Sequence, residues 1–186
     1  MHFLILINLI IIYYTIYLNI INKMRVIIVT QTFPPRIGGM QSVMSALAKN
    51  FSKIIPTYVF PDHSIPNSHP IRSYKIEFKF SKFPKIFRPF IKKIKLKMIL
   101  KEDDIIICDS WKSLNALPNT NNKIVMLAHG QEFLSESKKN KINKLVKKVS
   151  IVISSSNYTK NIFLKICKFP KSKTYVIPPT YEIENN

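Results

Sequence analysis

Glycine is scarce in this chain: 186 residues hold three, and two of them, Gly38 and Gly39, stand side by side. So little glycine excludes collagen-like and Gly-rich linker architectures, and it makes the single pair a position that needs a reason. Cysteine is equally sparse. Cys108 and Cys167 stand far apart with no CxxC or Cys/His spacing, so neither a disulfide framework nor a zinc site is indicated and a reduced, cytosolic setting fits best. The histidines His2, His63, His69 and His129 are scattered as well, and no metal site is expected. Acidic residues number 10 against 29 Lys and Arg, a formal net charge of +19. That excess has two readings: an anionic partner, or residue choice driven by an AT-rich genome, which the abundant Ile, Lys and Asn also fit. Arginine is confined to Arg25, Arg36, Arg72 and Arg88. Bidentate base contacts favour Arg over Lys, and no RNP or OB pattern is present, so no nucleic-acid partner is expected.

What the chain does have is apolar content, 46% of its residues, enough for one domain with a real core. Residues 3–21, FLILINLIIIYYTIYLNII, carry no charge and approach the ~20 residues that cross a bilayer. Two readings of residues 1–23 stand. One is a single transmembrane segment with Lys23 and Arg25 on the cytoplasmic side; the other is a mis-assigned start, with Met24 opening the strand MRVIIVT. From Arg25 onward, short β-branched runs alternate with helical periodicity. RVIIVT (25–30), PTYVF, IRSYKIEF, DIIIC (104–108), KIVMLAH (123–129), SIVIS (150–154) and KTYVIP (173–178) read as strands. GMQSVMSALAKNFSKI (39–54) and FIKKIKLKMILKE (90–102) read as helices, the first with Met40, Val43, Met44, Leu47 and Phe51 on one face. The alternation predicts an α/β, Rossmann-like, mostly parallel sheet with helices on both faces. Ligands of such sheets bind beyond the carboxyl ends of the strands, which directs attention to the loops after residues 30, 108, 128 and 154.

The first of those loops is TQTFPPRIGG. A Gly-Gly pair there lets a ligand approach bare backbone and the N–H groups of the following helix, or simply completes a tight turn. It is neither GxGxxG nor GxxxxGK[ST], so dinucleotide and P-loop sites have no direct support.

VIIVTQTFPPRIGGMQSVMSALAKNF resembles the opening of family 4 glycosyltransferases of the GT-B fold, with a strand, a Phe-Pro-Pro loop and a Gly-Gly pair before the first helix. DIIICDSW, MLAHGQE, ISSSNYTKNIF and YVIPPTYE are similar to further segments of that family, in the same order. The resemblance implies that residues 24–183 form the N-terminal, acceptor-side domain of a retaining enzyme. Such an enzyme moves a sugar from a nucleotide-sugar to a hydroxyl of a glycan or lipid-linked acceptor, and the nucleotide-sugar is a substrate, with no separate cofactor. Gly38 and Gly39 would face the donor phosphates. His129 and Glu132 would form the catalytic pair, His129 beside the transferred sugar and Glu132 as an orienting or acceptor-side group. Asp109, where the family often has His, is a candidate acceptor contact or a helix cap, and Trp111 a second acceptor-side candidate or core packing. Gln41 replaces a usual Glu, and Pro179-Thr180 replaces Asn-Gly. The family's C-terminal donor-binding domain is absent from the expected pattern, so a second chain would have to supply it. The alternative is a non-catalytic membrane-docking or binding module, or a truncated remnant.

Between Ile71 and Lys101, eleven Lys or Arg face one acid, Glu77, among Phe78, Phe80, Phe83, Phe87 and Phe90. Residues 137–150, SKKNKINKLVKKVS, add six lysines. Basic and aromatic residues interleaved in this way suit an anionic membrane surface, or are ordinary solvated faces. The first reading places the protein at the inner face of the cell membrane.

Overall fold

The computed structural model describes residues 23–62, 74–76, 83–134 and 136–179. Residues 3–21 lie outside that set, as does most of the expected strand IRSYKIEF. Among the described residues no helix is long and apolar enough to cross a membrane.

The strands are β1 (Val26–Thr30), β2 (Thr57–Pro61), β3 (Lys75–Ile76), β4 (Ile105–Cys108), β5 (Lys123–Ala128), β6 (Ile151–Ser154) and β7 (Thr174–Val176). They form one sheet in the order β3-β2-β1-β4-β5-β6-β7, and every neighbouring pair is parallel. The helices are α1 (Gly39–Ser52), α2 (Arg88–Ile99), α3 (Lys139–Val146) and α4 (Asn157–Ile166). Parallel neighbours require crossover connections: α1 joins β1 to β2, α3 joins β5 to β6, α4 joins β6 to β7, and a 3-10 helix at Ser113–Ala116 lies between β4 and β5.

All five residues of β1 are buried, as an uninterrupted apolar run in a sheet covered on both faces should be. Side chains of a strand alternate between faces, and the two cores divide accordingly. Ile27 and Val29 join the larger core with Leu96 of α2, Ile142 and Val146 of α3 and Phe163 of α4. Val26 and Ile28 join a smaller core with Met44 and Ala48 of α1. Among the described residues helices therefore cover both faces, but unevenly, three against one.

Arg25 anchors the amino end of the sheet. Its Nε and Nη2 donate to the two oxygens of Asp104 at 2.8 and 2.6 Å, and Nη2 also reaches the Ile99 carbonyl at 2.7 Å. Asn122 Nδ2 donates to the carbonyls of Lys101 and Asp104, fixing the turn into β4. With one end so fastened, the carboxyl end is where chain connections are longest. There β1 lies between β2 and β4, the point at which the strand order reverses and a crevice opens in sheets of this kind.

Candidate functional site

The candidate residues follow β1, β4 and β5 at the carboxyl end of the sheet. After β1 the chain turns through a cis Pro34–Pro35 peptide to Gly38, the N-cap of α1. Gly38 offers no side-chain cap, and the first turn of α1 holds no acidic residue. The helix thus presents its amino end, with its partial positive charge, without a carboxylate of its own against it. A Cβ at Gly38 would meet Gln41 Oε1 at 2.5 Å, the far end of a flexible side chain. Gly39 is exposed at the start of the helix.

After β4 comes Asp109, only 1% exposed. Its Oδ2 accepts from Thr30 Oγ1 at 2.7 Å and from the Gln31 N–H at 2.8 Å, while Oδ1 accepts from the hydroxyls of Ser113 and Ser110. Four donors of the chain itself thus surround the carboxylate, which clamps the loop after β1 to the loop after β4. Trp111 is 4% exposed and belongs to the larger core, with Nε1 unpartnered. It packs rather than forming an open platform.

After β5 come His129 and Gly130. Gly130 has φ +91°, a conformation that L side chains rarely adopt, and a Cβ there would stand 3.0 Å from Thr159 Oγ1. The half-buried His129 hydrogen-bonds the Asp109 backbone, and burial holds its pKa below the ordinary value. The ring is therefore neutral near neutral pH. Its Nε2 has no partner, so with the other nitrogen donating, Nε2 carries a lone pair free to accept a hydrogen bond. Glu132 folds back in a 3-10 turn, its Oε1 accepting from the His129 N–H at 3.4 Å. Burial pushes its pKa up to about 8, with the Asp109 charge adding to the rise and the His129 N–H and Lys112 opposing it. Near neutral pH this carboxyl keeps its proton and is a donor.

Gly39 and His129 meet across a groove of about 550 Å³ between α1 and the ends of β5, β6 and β7. Met40, Leu47, Ser155 and Pro178 are among its other walls. The volume is of the size that small-molecule sites occupy. Gly38, Asp109, Trp111 and Glu132 are not among the residues lining the groove; Glu132 and Asp109 touch His129, which does line it. Ser155 and Pro178 carry no local sequence signal of a site; helical spacing marks Leu47 as apolar-face, but only the fold shows that β7 ends opposite α1.

Lys92 is a further residue the sequence misread. It counts among the eleven basic residues assigned to a surface, yet it is 1% exposed. Its Nζ donates to the Thr30 carbonyl at 3.1 Å and pairs with Asp62. Burial lowers its pKa, against the pull of the Asp62 and Asp109 charges. The signal was available: Lys92 shares a helical face with Leu96 and Ile99. Cys108 and Cys167 are free and buried. Among the described residues no group of His, Cys, Asp or Glu is arranged to hold a metal ion.

Among the described residues the buried side-chain polar atoms without a partner are Thr32 Oγ1, Trp111 Nε1, His129 Nε2 and Ser154 Oγ. All four follow, or end, strands β1, β4, β5 and β6, so the unmet hydrogen-bonding capacity lies at one edge of the sheet. Buried polar groups are rarely left unmatched.

No protein-family model and no curated protein matches the chain. Solved structures do share its fold. The Anabaena HepE protein, in complex with UDP and glucose, superposes with a TM-score of 0.59 at 17% identity, over 85% of this chain and 45% of that one. UDP-N-acetylglucosamine 2-epimerase from Rickettsia bellii gives 0.56 at 11%, over 84% and 45%. An α,α-trehalose-phosphate synthase (UDP-forming) from Burkholderia vietnamiensis gives 0.51 at 10%, over 84% and 48%. The likeness shows the fold, a Rossmann-like unit of the GT-B kind, and this chain spans a little under half of each of those proteins.

Proposed function

We propose that the chain is the acceptor-side half of a retaining, family 4-like glycosyltransferase that moves a sugar from a nucleotide-sugar to a hydroxyl of a glycan or lipid-linked acceptor. The observation that carries the reading is the groove that sets His129, with its unpartnered Nε2, opposite Gly39 at the amino end of α1. A hydroxyl of a ligand in that groove supplies what Nε2 lacks. In this reading the backbone of Gly38 and Gly39 faces the donor diphosphate, whose charge the helix end favours. The neutral His129 accepts from a hydroxyl of the transferred sugar through Nε2. Glu132, protonated near neutral pH, holds the His129 loop and donates toward the acceptor side. Asp109 acts through the loops it ties together, as a positioning residue. The fold neighbours support a nucleotide-sugar donor, since one was captured with UDP and glucose and another is UDP-forming. As the chain matches under half of each neighbour, the groups that hold most of the donor belong to a second domain or chain.

The experiment is ligand-observed NMR of the chain with UDP-glucose, other UDP-sugars and simple glycosides, repeated with His129→Ala. Saturation transfer to the sugar protons is expected from the wild type. His129→Ala should lose it while keeping the far-UV circular dichroism and melting temperature. Equal transfer to both proteins, or none from the wild type to any sugar, sinks the assignment.

A further inference from the structure

The segment from Phe83 to Lys101 contains no Asp or Glu. Within it α2 has two apolar faces. The inner one carries buried Leu96, with Ile91 and Ile99 packed against the larger core. The outer one carries Phe87, Phe90, Ile94 and Met98, which are 56, 63, 48 and 80% exposed. Positions three, seven and eleven residues after Phe87 fall on one stripe of a helix. Lys93 and Lys97, both exposed, run along one flank, and exposed Lys85 and Lys101 stand beyond its ends. A soluble surface seldom leaves a stripe of large apolar side chains open, and when rimmed by charge such a stripe marks a place of contact.

The stripe has a fixed place relative to the site. Lys92 donates to the Thr30 carbonyl at 3.1 Å, and Arg88 Nη1 donates to the Asp62 carbonyl at 2.8 Å. Both acceptors lie at the carboxyl ends of β1 and β2. The first half of α2, with Phe87 and Phe90, therefore stands at the same edge of the sheet as His129.

We propose that the outer face of α2 docks on an anionic lipid bilayer, the apolar stripe entering the headgroup boundary and the lysines reaching lipid phosphates. Charge complementarity selects this occupant. Protein interfaces fix their register with charges of both signs, whereas the charges along the outer side of α2 itself, Lys93 and Lys97, share one sign, exposed Glu102 and Asp103 standing only beyond its carboxyl end, and a run of one sign suits a uniform anionic plane. Lysine stems can lie along the apolar stripe while the ammonium groups remain at phosphate level. This goes beyond the proposed sugar transfer and does not depend on it. If both hold, the docked helix brings the His129 edge toward acceptors carried in the membrane.

The test uses the full chain with Met98→Cys carrying an environment-sensitive fluorophore. Because Cys108 and Cys167 are buried, the label goes to the introduced thiol. Lys53→Cys, exposed at the end of α1 on the other face of the sheet, carries the control label. With phosphatidylcholine vesicles containing phosphatidylglycerol, the Met98 label should shift to the blue and the Lys53 label should not. Phosphatidylcholine alone should leave both unchanged. Replacing Lys93 and Lys97 by Gln should raise the lipid concentration for half-maximal shift about 5-fold for each lysine, ~25-fold together. No shift at Met98, equal shifts at both labels, or an equal response to neutral and anionic vesicles overturns the proposal. None of these readouts involves sugar transfer, so failure here leaves the glycosyltransferase reading to its own experiment.

Discussion

Protonation of Glu132 makes the stability of the fold depend on pH. Burial raises its pKa from the ordinary 4.5 to about 8, so over that window the native protein holds a proton that the unfolded chain has released. Stability that depends on a raised pKa is fully present below the unfolded value and is lost as pH rises through the folded one. From about pH 5 to about pH 8 the loss integrates to ~3 kcal/mol. Urea denaturation of the wild type at those two pH values should therefore show a falling unfolding free energy. His129 works in the opposite direction. Its pKa is lowered, so its contribution is lost as pH falls, and it offsets part of the decline near the acid end. Comparison with Glu132→Gln isolates the carboxyl, because the amide still accepts from the His129 N–H and leaves His129 in place but cannot ionise. The variant should lose ~3 kcal/mol less than the wild type over the same interval. If the two proteins decline in parallel, Glu132 is ionised in the native state, and its role as a protonated donor at the site falls with it.

Three further substitutions test the scaffold around the site. Asp104→Ala strands the Arg25 guanidinium, whose side chain is 14% exposed, and should cost ~3–5 kcal/mol in chemical denaturation; a loss below ~1 kcal/mol would show the pair to be worth no more than a surface one. Gly130→Ala places a side chain at φ +91° and 3.0 Å from Thr159 Oγ1, and should cost ~1–3 kcal/mol, read as a lower melting temperature; an unchanged melting temperature contradicts the strain argument. Ser156 accepts from the Thr159 N–H at 3.1 Å as the N-cap of α4. Ser156→Ala should therefore lose ~1 kcal/mol that Ser156→Asn retains, and equal stability of the two variants would refute the cap.

The legible part of this fold is the part whose signal is local. DIIIC, KIVMLAH and SIVIS announce β4, β5 and β6 because a short apolar run with polar ends has few other places to go in a buried parallel sheet. The same runs locate His129, since a ligand edge follows from strand direction alone. The glycine pair was likewise visible, and it does open α1. What local pattern could not supply is anything that depends on two distant segments meeting. The groove needs Met40 and Leu47 of α1 opposite Pro178, and no periodicity encodes that distance. In the sequence Asp109 is a candidate acceptor contact or a helix cap, and only the fold shows Thr30, Gln31 and Ser113 surrounding it.

Helix α2 shows why the charges were hardest to read. Lys92 and Lys93 are neighbours of the same chemistry, yet one is 1% exposed beside Thr30 and Asp62 and the other is open to solvent. The phase of the helix decides between them, and α2 has apolar residues on both sides, so hydrophobicity alone permits two phases. The partners decide which is adopted. Turned inward, Lys92 finds a carbonyl and a carboxylate that offset its burial, an environment that Lys93 would not share without displacing Leu96 from the core. Inward Lys92 and Leu96 then leave Phe90, Ile94 and Met98 no alternative but to face out. The exposed stripe is thus a consequence of the same choice that fastens the helix to the carboxyl edge of β1, and the position of any docking surface is set by the residues that hold the candidate site.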